Sequence, residues 1–267
     1  MGRAAAEILA SILPYVPQHI AQELMCDPTV PRVGGKSVEG TLLFADVAGF
    51  TPMSERLAQT GKEGAEELMM MMTVCFSRTI NVIADYGGIP LRFGGDSVLA
   101  LFLGPRHPQR AVRCGLIVQG AMKSFRRMRT SVGYFPLRMS IGVNTGEFLE
   151  VVVGVPSERL RYLIVGPAVN ETAKLGALAS AGEVLVGPAT VAALGSTAEL
   201  AAAEPQACRV VRLKAPVGRT PLALIAPEPS TDVMAVLEAL QSYVPRQVLE
   251  KAKAGTGRAV LQGEHRL

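Results

Sequence analysis

Two aspartates carry the most evident chemistry in this chain. Asp46 ends the apolar run Leu42-Leu43-Phe44-Ala45 and is followed by Val47-Ala48-Gly49-Phe50-Thr51. That pattern predicts a strand, a turn at Gly49 and a helix with Thr51 at or near its N-cap. A carboxylate at a strand end, beside the free N–H groups of a helix start, can hold a cation and a phosphate together. Asp96 lies in a second pattern, Ile89-Pro90-Leu91-Arg92-Phe93-Gly94-Gly95-Asp96-Ser97-Val98-Leu99-Ala100-Leu101-Phe102, whose two apolar arms flank a Gly-Gly-Asp tip. It reads as a β-hairpin with Asp96 in the turn. If the hairpin pairs beside the first strand, the two carboxylates meet, and two Asp carboxylates with substrate phosphates make an ordinary Mg²⁺ site. A Gly-Asp turn by itself is more often structural. The specific signal is the pair of motifs separated by one long helical pattern.

The elements that must position them follow from periodicity. The sequence predicts a strand over 41–47, helices over 52–59 and 63–86, a hairpin over 89–103 and a helix over 108–129. A further hairpin is expected over 136–153, its arms at 137–143 and 147–153 flanking Asn144-Thr145-Gly146, a turn signal. Then come a strand at 161–165, a helix over 168–179, a strand at 183–186, a helix at 188–194, and strands near 208–213 and 220–225. Helices between strand pairs, covering one face, give an α+β fold with a ferredoxin-like βααββαβ core, an antiparallel-rich sheet with helices packed on it. The cluster Met69-Met70-Met71-Met72 reads either as an adaptable packing surface or as plain core.

Composition bounds the rest. The 267 residues are 49% hydrophobic, enough for one good core and a little more. Residues 1–37 read as a helical extension, 38–227 as the main domain that carries both aspartates and 228–267 as a linker and helical lead-in. The net charge is +4, with the basic residues scattered apart from Lys123-Ser124-Phe125-Arg126-Arg127-Met128-Arg129, which reads as a helix C-terminus rather than a nucleic-acid patch. Cys26, Cys75, Cys114 and Cys208 form no CxxC pair, so neither zinc nor a disulfide framework is expected, and a reduced, cytoplasmic setting follows. The longest uncharged apolar stretch, near 67–78, is too short to span a bilayer, no signal peptide is evident, and no stable membrane anchor is expected. One internal repeat stands out. Leu13-Pro14-Tyr15-Val16-Pro17-Gln18-His19-Ile20 lines up with Gln241-Ser242-Tyr243-Val244-Pro245-Arg246-Gln247-Val248, and the first copy leads into the Asp46 strand. The expectation is that the second copy leads into a second, similar domain.

The stretches Phe44 to Thr51, Arg92 to Ser97, Ile141-Gly142-Val143-Asn144-Thr145-Gly146 and Val165-Gly166-Pro167-Ala168-Val169-Asn170 together resemble the class III nucleotidyl cyclase catalytic domain, over residues 38–190. The likeness is strongest to the first catalytic domain of soluble, bicarbonate-responsive adenylyl cyclases. The resemblance implies conversion of ATP to cyclic AMP and pyrophosphate, with two Mg²⁺ or Mn²⁺ ions held by Asp46, Asp96 and the Val47 carbonyl, and phosphates cradled by the N–H groups of Ala48, Gly49, Phe50 and Thr51. It also implies a site shared with a second cyclase domain of the same chain or with a homodimer partner, and it places the Met-rich helix near that interface.

The half that reads the base departs from the family. Asn170 fits the ribose-steadying Asn, but the transition-state Arg position holds Lys174, which keeps the charge and loses the bidentate fork. Arg92 and Leu163 occupy the base-selecting pair; Arg92 would otherwise line a degenerate pseudo-site that binds bicarbonate. The basic phosphate-contacting position holds Ser140, with Arg138 two residues away. A helix-surface role for Asn170 and solvated charge for Lys174 and Arg138 stand beside these readings. A complete metal half with a degraded base half suits the first domain of an unequal pair. The alternatives are a regulatory pseudo-cyclase that binds nucleotide and metal, and a guanylyl cyclase. A diguanylate cyclase is disfavoured, since Ser97-Val98 follows the Gly-Gly-Asp tip.

Overall fold

The computed structural model describes residues 2–28, 33–221 and 232–254. In chain order the elements are α1 (Gly2–Ile12), α2 (Gln18–Cys26), β1 (Gly34–Ala48), α3 (Phe50–Ala58), α4 (Lys62–Asp85), β2 (Gly88–Phe93), β3 (Ser97–Phe102), α5 (His107–Ala121), β4 (Met128–Thr130), β5 (Gly133–Phe135), β6 (Arg138–Val155), β7 (Arg159–Val165), α6 (Pro167–Leu178), β8 (Val184–Val186), α7 (Pro188–Leu194), β9 (Ala198–Glu204), β10 (Ala207–Leu213), α8 (Val233–Gln241) and α9 (Arg246–Lys253). They fall into two compact units. Among the described residues one comprises 2–28, 33–38, 149–165 and 232–254, and the other 39–148 and 166–221.

The larger unit is the expected α+β fold. From β1 to β6 its order is βααββαβ, interrupted only by the small β4–β5 hairpin, and its sheet runs β2-β3-β1-β6-β8-β10-β9. Pairing is antiparallel at β1–β3, β2–β3, β8–β10 and β9–β10, and parallel at β6–β8. Alternation sends Leu43, Ala45 and Val47 of β1 into one core with Met53 and Leu57 of α3, Met71, Met72, Cys75 and Ile83 of α4, and Val112 and Val118 of α5. The Met cluster divides: Met71 and Met72 are buried, whereas Met69 and Met70 are 72% and 64% exposed. By length and composition alone α4 is apolar enough to cross a membrane, with 28% of its most apolar window buried. In this fold its buried stripe closes the core.

Three expectations are corrected. The predicted hairpin over 136–153 is one continuous strand, β6. Asn144, Thr145 and Gly146 pass straight through because neighbours satisfy their polar groups: Thr145 Oγ1 bonds Thr41 Oγ1 (2.8 Å) and Thr190 Oγ1 (3.0 Å), and Asn144 Nδ2 donates to the Ala168 carbonyl (3.4 Å). A buried polar residue with partners has no need of a turn. The helix expected over 108–129 stops at Ala121, and after a 3₁₀ turn the basic run enters β4. There the Thr130 hydroxyl donates to the Gly133 carbonyl and accepts from the Val132 N–H, and Gly133, at φ 129°, closes a tight turn that a helix could not accommodate. Finally, β10 pairs with β9, which the sequence did not signal. Of the strand expected at 220–225, Thr220 and Pro221 are not strand, and the remainder lies outside the described residues.

The smaller unit joins α1, α2, α8 and α9 to the β6–β7 hairpin, paired from Leu149–Val165 to Val155–Arg159. Its core gathers Leu9, Ile12, Tyr15, Val16 and Ile20 with Val236, Leu237, Leu240, Tyr243, Val244, Val248 and Leu160.

Candidate functional site

The two aspartates meet as expected. The β1–β3 ladder runs from Thr41–Phe102 to Asp46–Ser97, and one residue on the Val47 N–H donates to the Asp96 carbonyl at 2.9 Å. The hairpin tip is held tight by Gly94 N–H to the Ser97 carbonyl (2.9 Å), with Gly95 left-handed at φ 75°. Because Leu43, Ala45 and Val47 face the core, Asp46 and Phe44 project from the opposite face. Both carboxylates are half-buried. Burial, and then the charge of Asp96, push the Asp46 carboxyl above its usual range. A like-charged pair held this way suits a divalent cation. Among the described residues no third His, Cys, Asp or Glu joins them. The fit is therefore to a hard cation that takes the Val47 carbonyl, substrate oxygens and water as further ligands, as Mg²⁺ does.

The next turn of chain offers backbone donors. Gly49 is the N-cap of α3, left-handed at φ 92°, and no side chain caps the helix. A Cβ on residue 49 would lie 2.8 Å from the Pro136 carbonyl, so only glycine fits. Thr51 is thus not the cap. It is the second helical residue, exposed, and its carbonyl accepts from Ser54 Oγ at 2.9 Å. Ala48, Gly49, Phe50 and Thr51 bring their N–H groups to the positive end of the helix, and Pro52 brings none.

The remaining predicted residues divide. Arg92 is exposed on β2, opposite Leu99 beside a bulge and on the same hairpin as Asp96. Asn170 and Lys174 are exposed one turn apart on α6, and Lys174 Nζ is 2.6 Å from Glu171 Oε1. Helix α6 seats against the sheet because Gly142 and Gly176 have no side chains: a Cβ on Gly142 would overlap the Gly176 backbone, and one on Gly176 would overlap the Phe44 ring. Arg138 is exposed and Ser140 buried; Arg138 lines a cavity of about 320 Å³ with Lys123 and Arg126 that does not include the aspartates. Leu163 belongs to the smaller unit, 46% exposed on β7 opposite Val151.

One cluster escaped sequence reasoning. Glu150 is 4% exposed, in the smaller unit, at the wall of a cavity of about 850 Å³. The Tyr162 hydroxyl donates to Glu150 Oε1 (2.7 Å), Lys36 Nζ lies 3.3 Å from Oε2 and also pairs with Glu23, and His19 Nε2 lies 3.2 Å from Oε1 without the alignment of a good hydrogen bond. Burial raises the Glu150 carboxyl, and the His19 ring, Tyr162 hydroxyl and Lys36 ammonium outweigh it, leaving it below its ordinary value. The available signal was one carboxylate inside the apolar run Phe148-Leu149-Glu150-Val151-Val152-Val153.

Comparison with known proteins bears on this geometry. The family described as "Adenylate and Guanylate cyclase catalytic domain" matches residues 36–216. Adenylate cyclase 1 of Rhizobium meliloti (strain 1021) is 30% identical over 182 residues, 66% of this chain and 26% of that protein. Human adenylate cyclase type 10 is 27% identical over 157 residues, 56% of this chain and 9% of that protein. The chain thus spans about a quarter or less of these relatives. Among solved structures, the guanylyl cyclase Cya2 is 28% identical with a TM-score of 0.59, covering 71% of this chain and 100% of that one. The adenylyl cyclase CyaB from P. aeruginosa is 25% identical with a TM-score of 0.59, covering 70% and 100%.

Proposed function

The chain belongs to the adenylate and guanylate cyclase catalytic-domain family, and we propose that it is the metal-bearing half of an adenylyl cyclase that converts ATP to 3′,5′-cyclic AMP and pyrophosphate. The observation that carries the reading is the convergence of Asp46 and Asp96 beside the uncapped start of α3. Two divalent cations, Mg²⁺ or Mn²⁺, would be held by the two carboxylates and the Val47 carbonyl, and would supply Lewis-acid activation of the ribose 3′-hydroxyl and neutralise charge on the leaving pyrophosphate. The N–H groups of Ala48 to Thr51 orient the phosphates in line, at the positive end of α3. Gly49 lets that loop close against Pro136.

The site is completed by a partner, a second cyclase domain of a longer chain or another copy. Exposed Met69, Met70 and Val74 on α4 give an apolar face suited to that contact. Asn170 and Lys174 are the residues that would steady ribose and phosphate in the complementary site, with Arg92 at a base position. Adenine is preferred because both curated relatives described above are adenylate cyclases by name. One feature favours a second reading, a regulatory pseudo-cyclase that binds nucleotide without turning it over: Lys174 stands where the resemblance places the transition-state arginine and lacks its bidentate fork.

The test measures cyclic nucleotide formed from ATP and from GTP with Mn²⁺, by this chain and by a chain extended through a second domain, each with an Asp46→Ala control. Cyclic AMP from the extended chain, absent in the control, supports the proposal. Metal-dependent ATP binding without product from either chain supports the pseudo-cyclase.

A further inference from the structure

The smaller unit contains the sequence repeat twice, folded alike and paired. Tyr15 and Tyr243 stand 228 residues apart (243 minus 15), and at that offset α1 and α2 line up with α8 and α9 along the chain. Each ends its first helix in a short turn, with Val16 N–H to the Leu13 carbonyl and Val244 N–H to the Gln241 carbonyl, both 3.2 Å. Each starts its second helix from a proline N-cap of the same conformation, Pro17 at φ −53°, ψ 133° and Pro245 at φ −54°, ψ 137°. The buried positions coincide as well: Leu9 with Leu237, Ile12 with Leu240, Tyr15 with Tyr243, Val16 with Val244 and Ile20 with Val248, all in one core. The packing is reciprocal. The first helices, α1 and α8, pack on each other, and each also packs on the other copy's second helix, α1 on α9 and α8 on α2. A two-fold relation between equivalent hairpins requires that reciprocity; an arbitrary helical cap does not.

We infer that residues 5–24 and 233–252 are two copies of one self-recognising helical hairpin, and that the surface presented by either copy is shaped for the other copy as its partner. The chain therefore holds an internal pseudo-symmetric dimer contact. Because α1 and α8 bury each other's apolar stripes, neither stripe is free to take up a hairpin from a second chain. Where a second cyclase domain follows the second copy, one of the two arrangements under the proposed function, this contact joins the two domain lead-ins within one chain and favours intrachain pairing of domains over homodimers. The pairing itself does not depend on catalysis, and its test reads no activity.

The experiment exchanges the facing segments in the full chain, placing the sequence of 5–12 at 233–240 and that of 233–240 at 5–12. His19, Glu150 and Tyr162 stay in place. Hydrogen exchange by mass spectrometry reports α1, α2, α8 and α9 separately from α4 and α5. The expected result is protection of all four helices within about tenfold of the parent, since a two-fold contact survives exchange of its halves. Leu240→Asp and Ile12→Asp serve as controls, and each should raise exchange at least a hundredfold in both hairpins while leaving α4 and α5 unchanged. The inference is overturned if the exchanged chain behaves like these controls, or if either control affects only its own hairpin.

Discussion

Asp46 and Glu150 are carboxylates in β-strands of the same chain, and their surroundings treat them oppositely. Glu150 is nearly inaccessible, yet a hydroxyl, an ammonium and an imidazole converge on it, and its carboxyl is held below its ordinary value. Asp46 is only half-buried, yet burial and then the charge of another carboxylate, Asp96, push its carboxyl up. The first is a group whose needs the fold meets. The second is left unmet, and binding of a cation would relieve it. An unrelieved electrostatic cost at a strand end, in a protein that neutralises a far more buried carboxylate elsewhere, is what the proposed cation would relieve.

The largest expected effects separate the two. In a chain extended through a second domain, Asp46→Asn should lower the proposed cyclase activity roughly 10³-fold, about 4 kcal/mol of barrier, while raising rather than lowering the melting temperature, because it removes the repulsion with Asp96. Mn²⁺ or Mg²⁺ should raise the melting temperature of the parent chain and leave that of Asp46→Asn nearly unmoved, a readout that needs no turnover. Glu150→Ala should do the reverse, costing about 2–4 kcal/mol in urea unfolding as Tyr162, His19 and Lys36 lose their common partner, with the metal-dependent shift retained. A loss of stability in Asp46→Asn would break the comparison.

Acid should resolve the same contrast with opposite signs. The folded-state carboxyl of Glu150 lies below the unfolded value of 4.5, so its stabilisation is present above that pH and is lost as pH falls through the lower folded value. Asp46 lies above its unfolded value of 3.8, so the folded state takes up its proton first, and the destabilisation present at neutral pH is relieved as pH falls. Stability of Glu150→Ala, measured by urea midpoints from pH 7 downward, should therefore fall less steeply below pH 4.5 than that of the parent. For Asp46→Asn, the gain over the parent should shrink as the pH drops.

The uneven legibility of the sequence has the same origin. Asp46 and Asp96 could be read because each sits in a local pattern, an apolar arm and a glycine turn, that fixes where the carboxylate emerges. Glu150 could not, since His19 and Lys36 lie more than a hundred residues away in the chain and only tertiary packing brings them to it. Asn144-Thr145-Gly146 misled for the same reason. As a tripeptide it favours a turn, and its strand conformation depends on Thr41, Ala168 and Thr190, which no local window contains. The fold class was legible from periodicity, whereas the seating of α6, which decides where Asn170 and Lys174 stand, rests on two glycines whose contact was invisible. Gly142→Ala should show this cost, destabilising by about 1–3 kcal/mol in urea unfolding as the added methyl forces α6 off the strand.

The smallest expected effect bears on Lys174, at the position where the resemblance places an arginine. Lys174 and Glu171 form an exposed pair three residues apart on α6, with side chains 67% and 50% accessible. Such a pair is worth less than about 0.5 kcal/mol, so Lys174→Ala should leave the melting temperature within error. Its activity then becomes informative, because folding does not confound it. If Lys174 meets the phosphates, alanine should reduce the proposed turnover of a chain extended through a second domain by at least tenfold with KM little changed, and Lys174→Arg should restore or exceed the parent rate by returning the two-pronged donor. Equal rates for all three proteins would make Glu171 its whole partner. The active nucleotide site of an unequal pair would then draw its transition-state cation from the other domain.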